Sequence, residues 1–412
     1  MEEKASIRMN THRFIIYDNE GGSFGPLTRT RAVFELRTGA DTTLERVQKT
    51  LGAAPAGLWC PDRLKGVLEQ RYPDTPVNPD DLAQGPVLLV DGRWAGIRHR
   101  DEVLSLKTGQ ALVKADGRVV AVVLNNDQAL AFLNNGCRTL PDDVSTIRLQ
   151  NRVLLNRPWH ILDDLPENLE HDLLHSDTPV IDLGEHPGII VTGEHPVRVG
   201  PDTRILPSVV IDAEHGPVVI ERGATINPLC VLQGPCYVGA GSVLVSHTSI
   251  RRNTVIGPGC KVGGELSASI LQSYSNKSHS GFLGDSLVGS WVNLGAGTTT
   301  SNLKNTYGQV RIQLEPNGPA EDTGRMFLGS IIGDYVRTAI GTRLTTGSVI
   351  QPGCMLAVSG WAPGSTRPMG FYTDAGYQPH DVSKLIETVR RMMHRRGITL
   401  DQAEAAMIRA ID

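Results

Sequence analysis

A six-residue repeat runs through the second half of the sequence and restricts its fold more than any other feature. Aliphatic residues recur at every sixth position, and the unbroken run is Ile220, Ile226, Leu232, Val238, Leu244, Ile250, Ile256 and Val262. A period of six fits neither an α-helix nor a long strand. It fits a solenoid in which each hexad supplies one short strand and one turn. The pattern therefore predicts aliphatic side chains that point inward and stack from coil to coil.

The repeat breaks twice and then resumes, and its second recurring feature is a small residue four positions after the aliphatic one. The pattern resumes at Val288, Leu294 and Thr300, then at Ile332, Thr338, Leu344, Ile350 and Leu356. The small-residue positions include Cys230, Cys236, Cys260 and Cys354. We interpret these cysteines as buried packing residues, because the sequence contains no CxxC or CxxH pair that would suggest a zinc site.

The hexad run resembles the hexapeptide-repeat family. That resemblance implies a left-handed parallel β-helix in which three hexads form one triangular coil. It also implies an acyltransferase that assembles as a homotrimer, with active sites between neighbouring prisms. A fold by itself does not define a function, so the two interruptions of the repeat are the places to look for chemistry.

The first interruption carries the sequence HSGFLGD from His279 to Asp285, followed by VNLGAGTTTSN from Val292 to Asn302. Together they resemble the acetyltransferase half of the bacterial bifunctional enzyme that makes UDP-N-acetylglucosamine. The resemblance implies acetyl-CoA as co-substrate and His279 as general base. An imidazole near its ordinary pKa can accept the proton of an attacking amine at neutral pH. The resemblance also assigns sugar contacts to Asn293, Asn302 and Glu265, and a contact with the acetyl donor to Ala296.

Four positions depart from the family pattern. Phe282 and Leu303 stand where the family has tyrosines. The family's lysine that contacts the sugar phosphate falls near Ser267 in this sequence, and Ile340 stands where the family has a small residue near the acetyl donor. Arg251 and Arg252 lie nearby, and we expect them to bind the phosphate instead. These departures leave open a different acceptor, or a scaffold that binds a sugar nucleotide without chemistry.

The first part of the chain predicts an α/β domain over residues 12–190. Continuous apolar runs at 13–17, 86–91 and 119–124 are typical of buried strands, and helical spacing follows at 42–51, 62–70 and 159–174. The segment from Pro26 to Gly39 resembles the divergent sugar nucleotidyltransferase-like domain that some bacteria fuse to the same kind of β-helix. This domain order leaves a sugar nucleotidyltransferase with a trimerising β-helix as the alternative function.

The usual Gly-rich phosphate loop of sugar nucleotidyltransferases is absent from the sequence. Gly21 to Gly25 follows the first strand, but it does not open a helix cleanly. Arg31 and Arg37 are candidate phosphate ligands, with a surface salt-bridge role as the alternative. Asp91, at a strand end, is a candidate Mg²⁺ ligand, with a turn role as the alternative.

Composition narrows the class of protein. The formal net charge of -4 over 412 residues argues against a nucleic-acid binder, and no apolar run is long enough to span a membrane. We expect a cytoplasmic protein, since the N-terminus lacks the apolar core of a secretory signal.

The sequence also predicts where the domains begin and end. A Pro- and Gly-rich stretch at 185–196 predicts a linker. The β-helix is expected over residues 191–365, and two C-terminal helices are expected over residues 380–412. Arg390, Arg391, Arg395 and Arg396 form a basic patch there, which is interpreted as a solvated face or a phosphate site.

Overall fold

The computed structural model describes residues 13–183 and 186–411, which divide into two compact units. The first unit contains the described residues up to Gly22, together with Ala32–Glu35 and Thr42–Asn156. The second unit contains Ser23–Arg31, Leu36–Asp41 and the chain from Arg157 onward. The division after Asn156 precedes the position near residue 190 that the sequence suggests.

The first unit is an α/β domain built on a six-stranded mixed β-sheet. Its elements are β1 (Arg13–Tyr17), α1 (Thr43–Leu51), β2 (Gly57–Trp59), α2 (Asp62–Arg71), β3 (Val87–Asp91), α3 (Arg100–Leu104), β4 (Gln110–Lys114), β5 (Val119–Leu124), α4 (Asn126–Asn134) and β6 (Ser145–Leu149). The strand order is β2-β1-β3-β5-β4-β6. Strand β1 pairs in parallel with β2 and β3, whereas β5 runs antiparallel to β3 and β4.

Local sequence signals explain how these elements begin and end. Helix α1 starts with a capping box, in which the Thr42 hydroxyl accepts from the Glu45 backbone and the Glu45 carboxylate accepts from the Thr42 backbone. It ends at Gly52, whose φ of 63° is left-handed. Strands β3 and β5 are buried along their whole lengths, which agrees with their continuous apolar sequences.

The second unit begins with α5 (Pro158–Leu174) and continues as a long series of short strands. These are β7 (Ile189–Thr192), β8 (Val197–Val199), β9 (Arg204–Ile205), β10 (Val209–Asp212), β11 (Val218–Ile220), β12 (Thr225–Ile226), β13 (Val231–Gln233), β14 (Cys236–Val238), β15 (Val243–Leu244), β16 (Ser249–Ile250), β17 (Thr254–Ile256), β18 (Lys261–Val262), β19 (Glu265–Ser267), β20 (Ile270–Leu271), β21 (Asn276–Lys277), β22 (Phe282–Gly284), β23 (Leu287–Val288), β24 (Thr299–Thr300), β25 (Arg311–Ile312), β26 (Glu321–Asp322), β27 (Ile331–Ile332), β28 (Arg337–Thr338), β29 (Arg343–Leu344), β30 (Val349–Ile350), β31 (Met355–Ala357), β32 (Gly370–Thr373) and β33 (Gly376–Pro379). Two helices, α6 (Val382–His394) and α7 (Gln402–Arg409), follow.

The coils of the second unit form three faces, and the strands within each face run parallel to one another. Face I is the sheet of β8, β11, β14, β17, β20, β23, β27 and β30; face II contains β9, β12, β15, β18 and β21, then β28 and β31; face III contains β7, β10, β13, β16, β19 and β22, then β24 and β29. Within these sheets, strands of successive coils pair in parallel, for example Ile220 with Val238 and Val238 with Ile256. The prediction of a left-handed parallel β-helix is confirmed.

The interior of the β-helix is built from the predicted aliphatic positions. The residues from Ile220 to Val262 in the hexad run are all fully buried, as are Ile332, Leu344, Ile350 and Leu356. The six cysteines are free and buried, so the packing interpretation of the four in the β-helix is confirmed. Burial raises the pKa of Cys236 and of Cys260 to about 12, which keeps both thiols protonated at neutral pH.

One inward position of face II breaks the aliphatic rule. The register Ile226, Leu244, Val262 continues with Lys277, which is 2% exposed. The preceding coil is short: Val262 and Lys277 are 15 positions apart, whereas Leu244 and Val262 are 18 apart. This shortening accounts for the phase slip of the repeat.

Two segments from the N-terminal part of the chain pack within the second unit. The first of them, Ser23–Arg31, bonds to Asp334, which is 2% exposed. Its carboxylate accepts a hydrogen bond from the Thr30 hydroxyl at 2.7 Å and another from the Ser290 backbone at 2.7 Å, and it forms an ion pair with Arg31. Because all these groups are buried and hydrogen-bonded, Asp334 anchors the Ser23–Arg31 segment firmly.

The linker prediction for 185–196 is wrong for most of its length, although Glu185 lies outside the described residues. Strand β7 falls inside this stretch and pairs with β10, so the Pro- and Gly-rich sequence already forms the first coil. The two C-terminal helices lie where the sequence predicts them, and α6 buries Leu385, Ile386, Val389 and Met393. Across residues 13–183 and 186–411, no helix combines the length and apolar character required to cross a membrane.

Candidate active site

His279 lies at the corner between face II and face III, just before β22, and its side chain is exposed. The next coil passes very close to this corner. At Gly281, with φ at 122°, an added Cβ would lie 2.1 Å from the Thr298 carbonyl oxygen, so only glycine fits there. The corner therefore presents an imidazole to solvent on a backbone that is held tightly by its neighbour.

The outer surface of face III leads away from this corner. Glu265 and Phe282 are register partners on adjacent coils, and the Phe282 backbone donates to the Thr299 hydroxyl at 3.3 Å. Arg251 forms an ion pair with Glu265 at 3.1 Å, and both side chains are about half exposed. An exposed pair of this kind contributes little stability, so both groups stay available to a ligand. Arg252 is exposed beside Arg251.

Asn302 lies at the opposite end of face III, and a carboxylate orients it. Its amide donates to Asp285 at 2.8 Å, and Asp285 also accepts from Arg325 at 3.4 Å. Burial raises the pKa of Asp285, while these two donors oppose that rise. With its nitrogen committed to Asp285, Asn302 has its amide oxygen free to accept from a ligand.

Ala296 lies on the coil that follows His279, at the same corner. The Gly297 backbone donates to the Ser280 carbonyl at 3.2 Å, and the Gly341 backbone donates to the Ala296 carbonyl at 2.7 Å. Ala296 is thus placed between the His279 coil and the Ile340 coil. Ile340 itself is 78% exposed, so this large side chain projects from the edge along which the resemblance puts an acetyl donor.

Asn293 is not on the surface shared by Glu265, Phe282 and Asn302. It lies on face II, where it bridges the rows of Asn276 and Arg337. The Arg396 guanidinium, just beyond α6, donates to the side-chain oxygen of Asn276 at 2.9 Å. Within one chain, His279 and Ala296 therefore lie at the corner of faces II and III. Glu265 and Asn302 lie along face III, whereas Asn293 lies on face II.

Lys277 lies beneath His279 and was missed by sequence reasoning. Its ammonium nitrogen donates to the carbonyl oxygens of Gly263 and His279, each at 3.0 Å. Burial lowers the pKa of Lys277 to about 8. The amine thus ties the backbone of His279 to the previous coil from inside the β-helix. A polar residue at an aliphatic hexad position is the signal that could have revealed it.

The two candidate phosphate ligands of the N-terminal part have protein partners instead. Arg31 bonds to Asp334 and donates to the Ser290 hydroxyl at 3.0 Å. Arg37 is 6% exposed, and its guanidinium carbon lies 5.9 Å from the centre of the Tyr237 ring. Arg31 does form a salt bridge, as the alternative reading expects, but both arginines are buried rather than on the surface. The phosphate role stays a prediction that their positions do not support.

Asp91, the candidate Mg²⁺ ligand, lies at the end of β3 and is 1% exposed. The Arg93 guanidinium binds both of its oxygens, one of them at 2.9 Å from Nε. The loop after β1 lies directly on this guanidinium, since a Cβ at Gly21 would be 2.7 Å from it. The site therefore holds its own cation at the place where a metal ion was predicted.

Asp18, at the end of β1, also has internal donors. Its carboxylate accepts from the Val33 backbone at 2.7 Å and from the Glu20 backbone at 2.9 Å, and burial raises its pKa. Among the residues that the structure describes, no group of three or more His, Cys, Asp or Glu side chains is arranged to hold a metal ion. The residues present near Asp91 thus do not form a ready Mg²⁺ site.

Comparison with known proteins agrees with this two-part organisation. A sugar nucleotidyl transferase family model matches residues 14–177. The chain is 35% identical over 107 residues to the bifunctional protein GlmU of Jannaschia sp. (strain CCS1), which covers 26% of this chain and 23% of that protein. It is 33% identical over 134 residues to a bifunctional sugar-1-phosphate nucleotidylyltransferase/acetyltransferase of Sulfurisphaera tokodaii, which covers 32% of this chain and 33% of that protein.

Among solved structures, a hexapeptide transferase family protein from Anaplasma phagocytophilum matches 54% of this chain and 95% of its own, with 16% identity and a TM-score of 0.27. The matched segments span about a quarter to a third of the two curated relatives. The chain thus combines a segment that matches the sugar nucleotidyl transferase family model with a parallel β-helix. The resemblance to the bifunctional GlmU-type proteins, in a divergent form, is confirmed.

Proposed function

We propose that the second unit is an acyltransferase that moves an acetyl group from acetyl-CoA to the amine of an amino-sugar phosphate or nucleotide sugar. The observation that carries this proposal is the exposed imidazole of His279 at a corner whose next coil presents Ala296. Glu265, Arg251 and Arg252 supply charged groups on the adjoining face for a polar acceptor. The molecules named for the relatives, a sugar 1-phosphate and an acetyl group, fit these groups.

The reaction needs few residues. The nitrogen of the acceptor amine attacks the thioester carbonyl carbon, and His279 accepts the proton that this nitrogen loses. A C–N bond forms, the C–S bond breaks, and the leaving thiolate of CoA takes up a proton. The amide oxygen of Asn302 accepts from a hydroxyl or the amine of the sugar, and Asp285 fixes its orientation. Because face II and face III meet at His279, Asn293 would join a site only if a neighbouring chain also borders it, which favours the homotrimer that the resemblance implies.

The alternative, nucleotidyl transfer in the first unit, is favoured by the family match over residues 14–177. The Asp91–Arg93 pair opposes it, because Mg²⁺ would have to displace a guanidinium that is bound through both carboxylate oxygens. A non-catalytic scaffold is the third reading, since Phe282, Leu303 and Ser267 each lack a polar group of the family pattern.

One assay separates these functions. The purified full-length protein is mixed with glucosamine 1-phosphate, acetyl-CoA, UTP and Mg²⁺, while CoA and pyrophosphate are measured separately. We expect CoA release without pyrophosphate release. Pyrophosphate alone would establish the nucleotidyltransferase. Release of neither product, repeated with amino-sugar nucleotides as acceptors, would contradict the acyltransferase and leave the scaffold. Light scattering that gave a monomer at micromolar concentration would contradict the trimer.

A further inference from the structure

A pocket of about 460 Å³ adjoins Asn302. Its walls come from the second interruption of the repeat and from the coil that carries β29. Ser301 and Leu303, the two chain neighbours of Asn302, both line it. This size is within the usual range for small-molecule sites. A group attached to a substrate on face III could therefore extend past Asn302 into the pocket.

Two cations line the pocket, and each is held by backbone oxygens. The Lys304 ammonium donates to the Gln309 carbonyl at 3.0 Å, and the Arg311 guanidinium donates to the Ala320 carbonyl at 2.9 Å. A carbonyl oxygen orients a cation without neutralising its charge. Both groups therefore keep a net positive charge that suits a phosphate or a diphosphate.

An aromatic platform forms another side of the same pocket. Trp361 is 60% exposed, and the Arg343 guanidinium lies 5.4 Å from the centre of its ring. Arg343 is itself fixed by the Ser359 carbonyl at 2.7 Å. Nucleobases stack on exposed aromatic rings and on guanidinium planes, and such stacking does not depend on the identity of the base.

Hydroxyl groups complete the lining. Thr345 and Thr346 also line the pocket, and the Thr346 hydroxyl donates to the Ser301 hydroxyl at 2.9 Å. Hydroxyls can donate to and accept from a ribose. The pocket thus combines positive charge, a ring surface and short hydroxyl side chains within one cavity.

We propose that this pocket binds the nucleoside diphosphate portion of a substrate. Two substrates could supply that chemistry: a nucleotide-sugar acceptor, or the phosphorylated adenosine diphosphate end of CoA. The inference rests on the proposed function for the reaction that the ligand enters. The binding itself requires no proton transfer by His279.

Calorimetry on the full-length protein tests the proposal with two probes, UDP and adenosine 3′,5′-diphosphate, each titrated separately. Replacing the ring in Trp361→Ala should raise the Kd of the bound nucleotide about tenfold or more, because the stacking surface is lost. Lys304→Ala and Arg311→Ala should each raise it by roughly threefold to tenfold and weaken its dependence on salt. Tyr377→Ala is the matched control, because Arg367 lies 5.1 Å from the centre of that exposed ring. Lys384→Ala controls for loss of an exposed cation.

Tighter binding of UDP would assign the pocket to the acceptor, and tighter binding of adenosine 3′,5′-diphosphate would assign it to the donor. Failure of both nucleotides to bind, or unchanged Kd values in Trp361→Ala and both cation variants, would overturn the proposal. The His279→Ala variant should bind nucleotide as the wild type does. An inactive wild type that still binds nucleotide through Trp361 would contradict the proposed function and leave the pocket assignment intact.

Discussion

The corner at His279 and the strand end at Asp91 differ in the solvent exposure and the ion pairing of their ionisable side chains. His279 faces solvent, and the Glu265 carboxylate beside it shares only a half-exposed ion pair with Arg251. Asp91 is buried, and Arg93 binds both of its oxygens. A ligand can reach the first set at little cost, whereas a metal ion at the second must first break a buried ion pair. The difference favours chemistry in the β-helix over chemistry in the sheet.

The largest effect should come from His279→Ala. Loss of a general base should lower the rate of acetyl transfer by roughly 10²–10⁴-fold while the fold is kept, because the side chain is exposed. His247→Ala is the matched control, since His247 is an exposed histidine at an earlier coil of the same corner. The measurement is the initial rate of CoA release by the wild type and both variants. Full activity in His279→Ala would contradict the role of His279 as general base, and its exposure would then no longer favour chemistry in the β-helix.

Arg93→Met tests the other side of the comparison. It leaves the Asp91 carboxylate buried without its cation, which should lower the free energy of unfolding of the first unit by about 3–5 kcal/mol. Urea unfolding followed by circular dichroism measures this change. Arg118→Met removes a partly exposed partner of Asp116 and should cost about 1 kcal/mol or less. Equal effects of the two substitutions would show that Asp91 does not depend on Arg93.

Lys277→Met should alter how stability depends on pH. In the folded protein the pKa of Lys277 is about 8, below its usual value near 10.4, so the unfolded chain binds more protons between these values. The free energy of unfolding should therefore rise as pH increases from about 8 to about 10, by roughly 3 kcal/mol from this group. At pH 7 the full penalty of burying the charge is present.

Unfolding of the wild type, Lys277→Met and Lys261→Met at pH 7 and pH 10 measures this contribution. Lys261 is the exposed first residue of β18, and its replacement should leave the pH dependence unchanged. If the Lys277→Met protein showed the same pH dependence as the wild type, folding would not lower the pKa of the Lys277 amine, and the buried position would carry no such penalty.

The smallest effect should come from Asn302→Ala. It removes one or two hydrogen bonds to the bound sugar and frees Asp285, which should cost about 1–3 kcal/mol of transition-state stabilisation. The ratio kcat/KM for acetyl transfer measures this loss, and Asn317→Ala, an exposed residue of the second interruption, is the control. An unchanged ratio would restrict the site to the edge at His279.

The sequence predicts the β-helix well because its inward positions obey a local rule. Ile220, Val238 and Ile256 repeat at a fixed interval, and the structure stacks them in register. Lys277 escaped prediction because the short coil before it shifts the repeat and hides its inward position. The same rule, applied after the slip, would have shown a cation at an aliphatic position.

Contacts between distant parts of the chain left no comparable signal. Arg31 and Asp334 are 303 positions apart, and no periodicity links them, so the sequence leaves Arg31 as a candidate for either a phosphate contact or a salt bridge. Asp91 is left as a candidate for either Mg²⁺ or a turn for a related reason: a strand-end carboxylate has the same sequence whether its partner is a metal ion or an arginine. The role of each charged residue depends on neighbours that only the folded chain supplies.

The anchoring of Ser23–Arg31 on Asp334 has a consequence for how the protein is made. Ribosomes add about 5–20 residues per second, so a segment that waits for partners some 300 positions later waits roughly 15–60 s. During that time Arg31 has no carboxylate from the β-helix to bind. A fragment that stops near residue 190 never receives one, and a fragment that begins there leaves Asp334 without the Thr30 and Arg31 donors. Separate expression of the two halves should therefore yield less soluble protein than the intact chain, although each contains a nearly complete hydrophobic core.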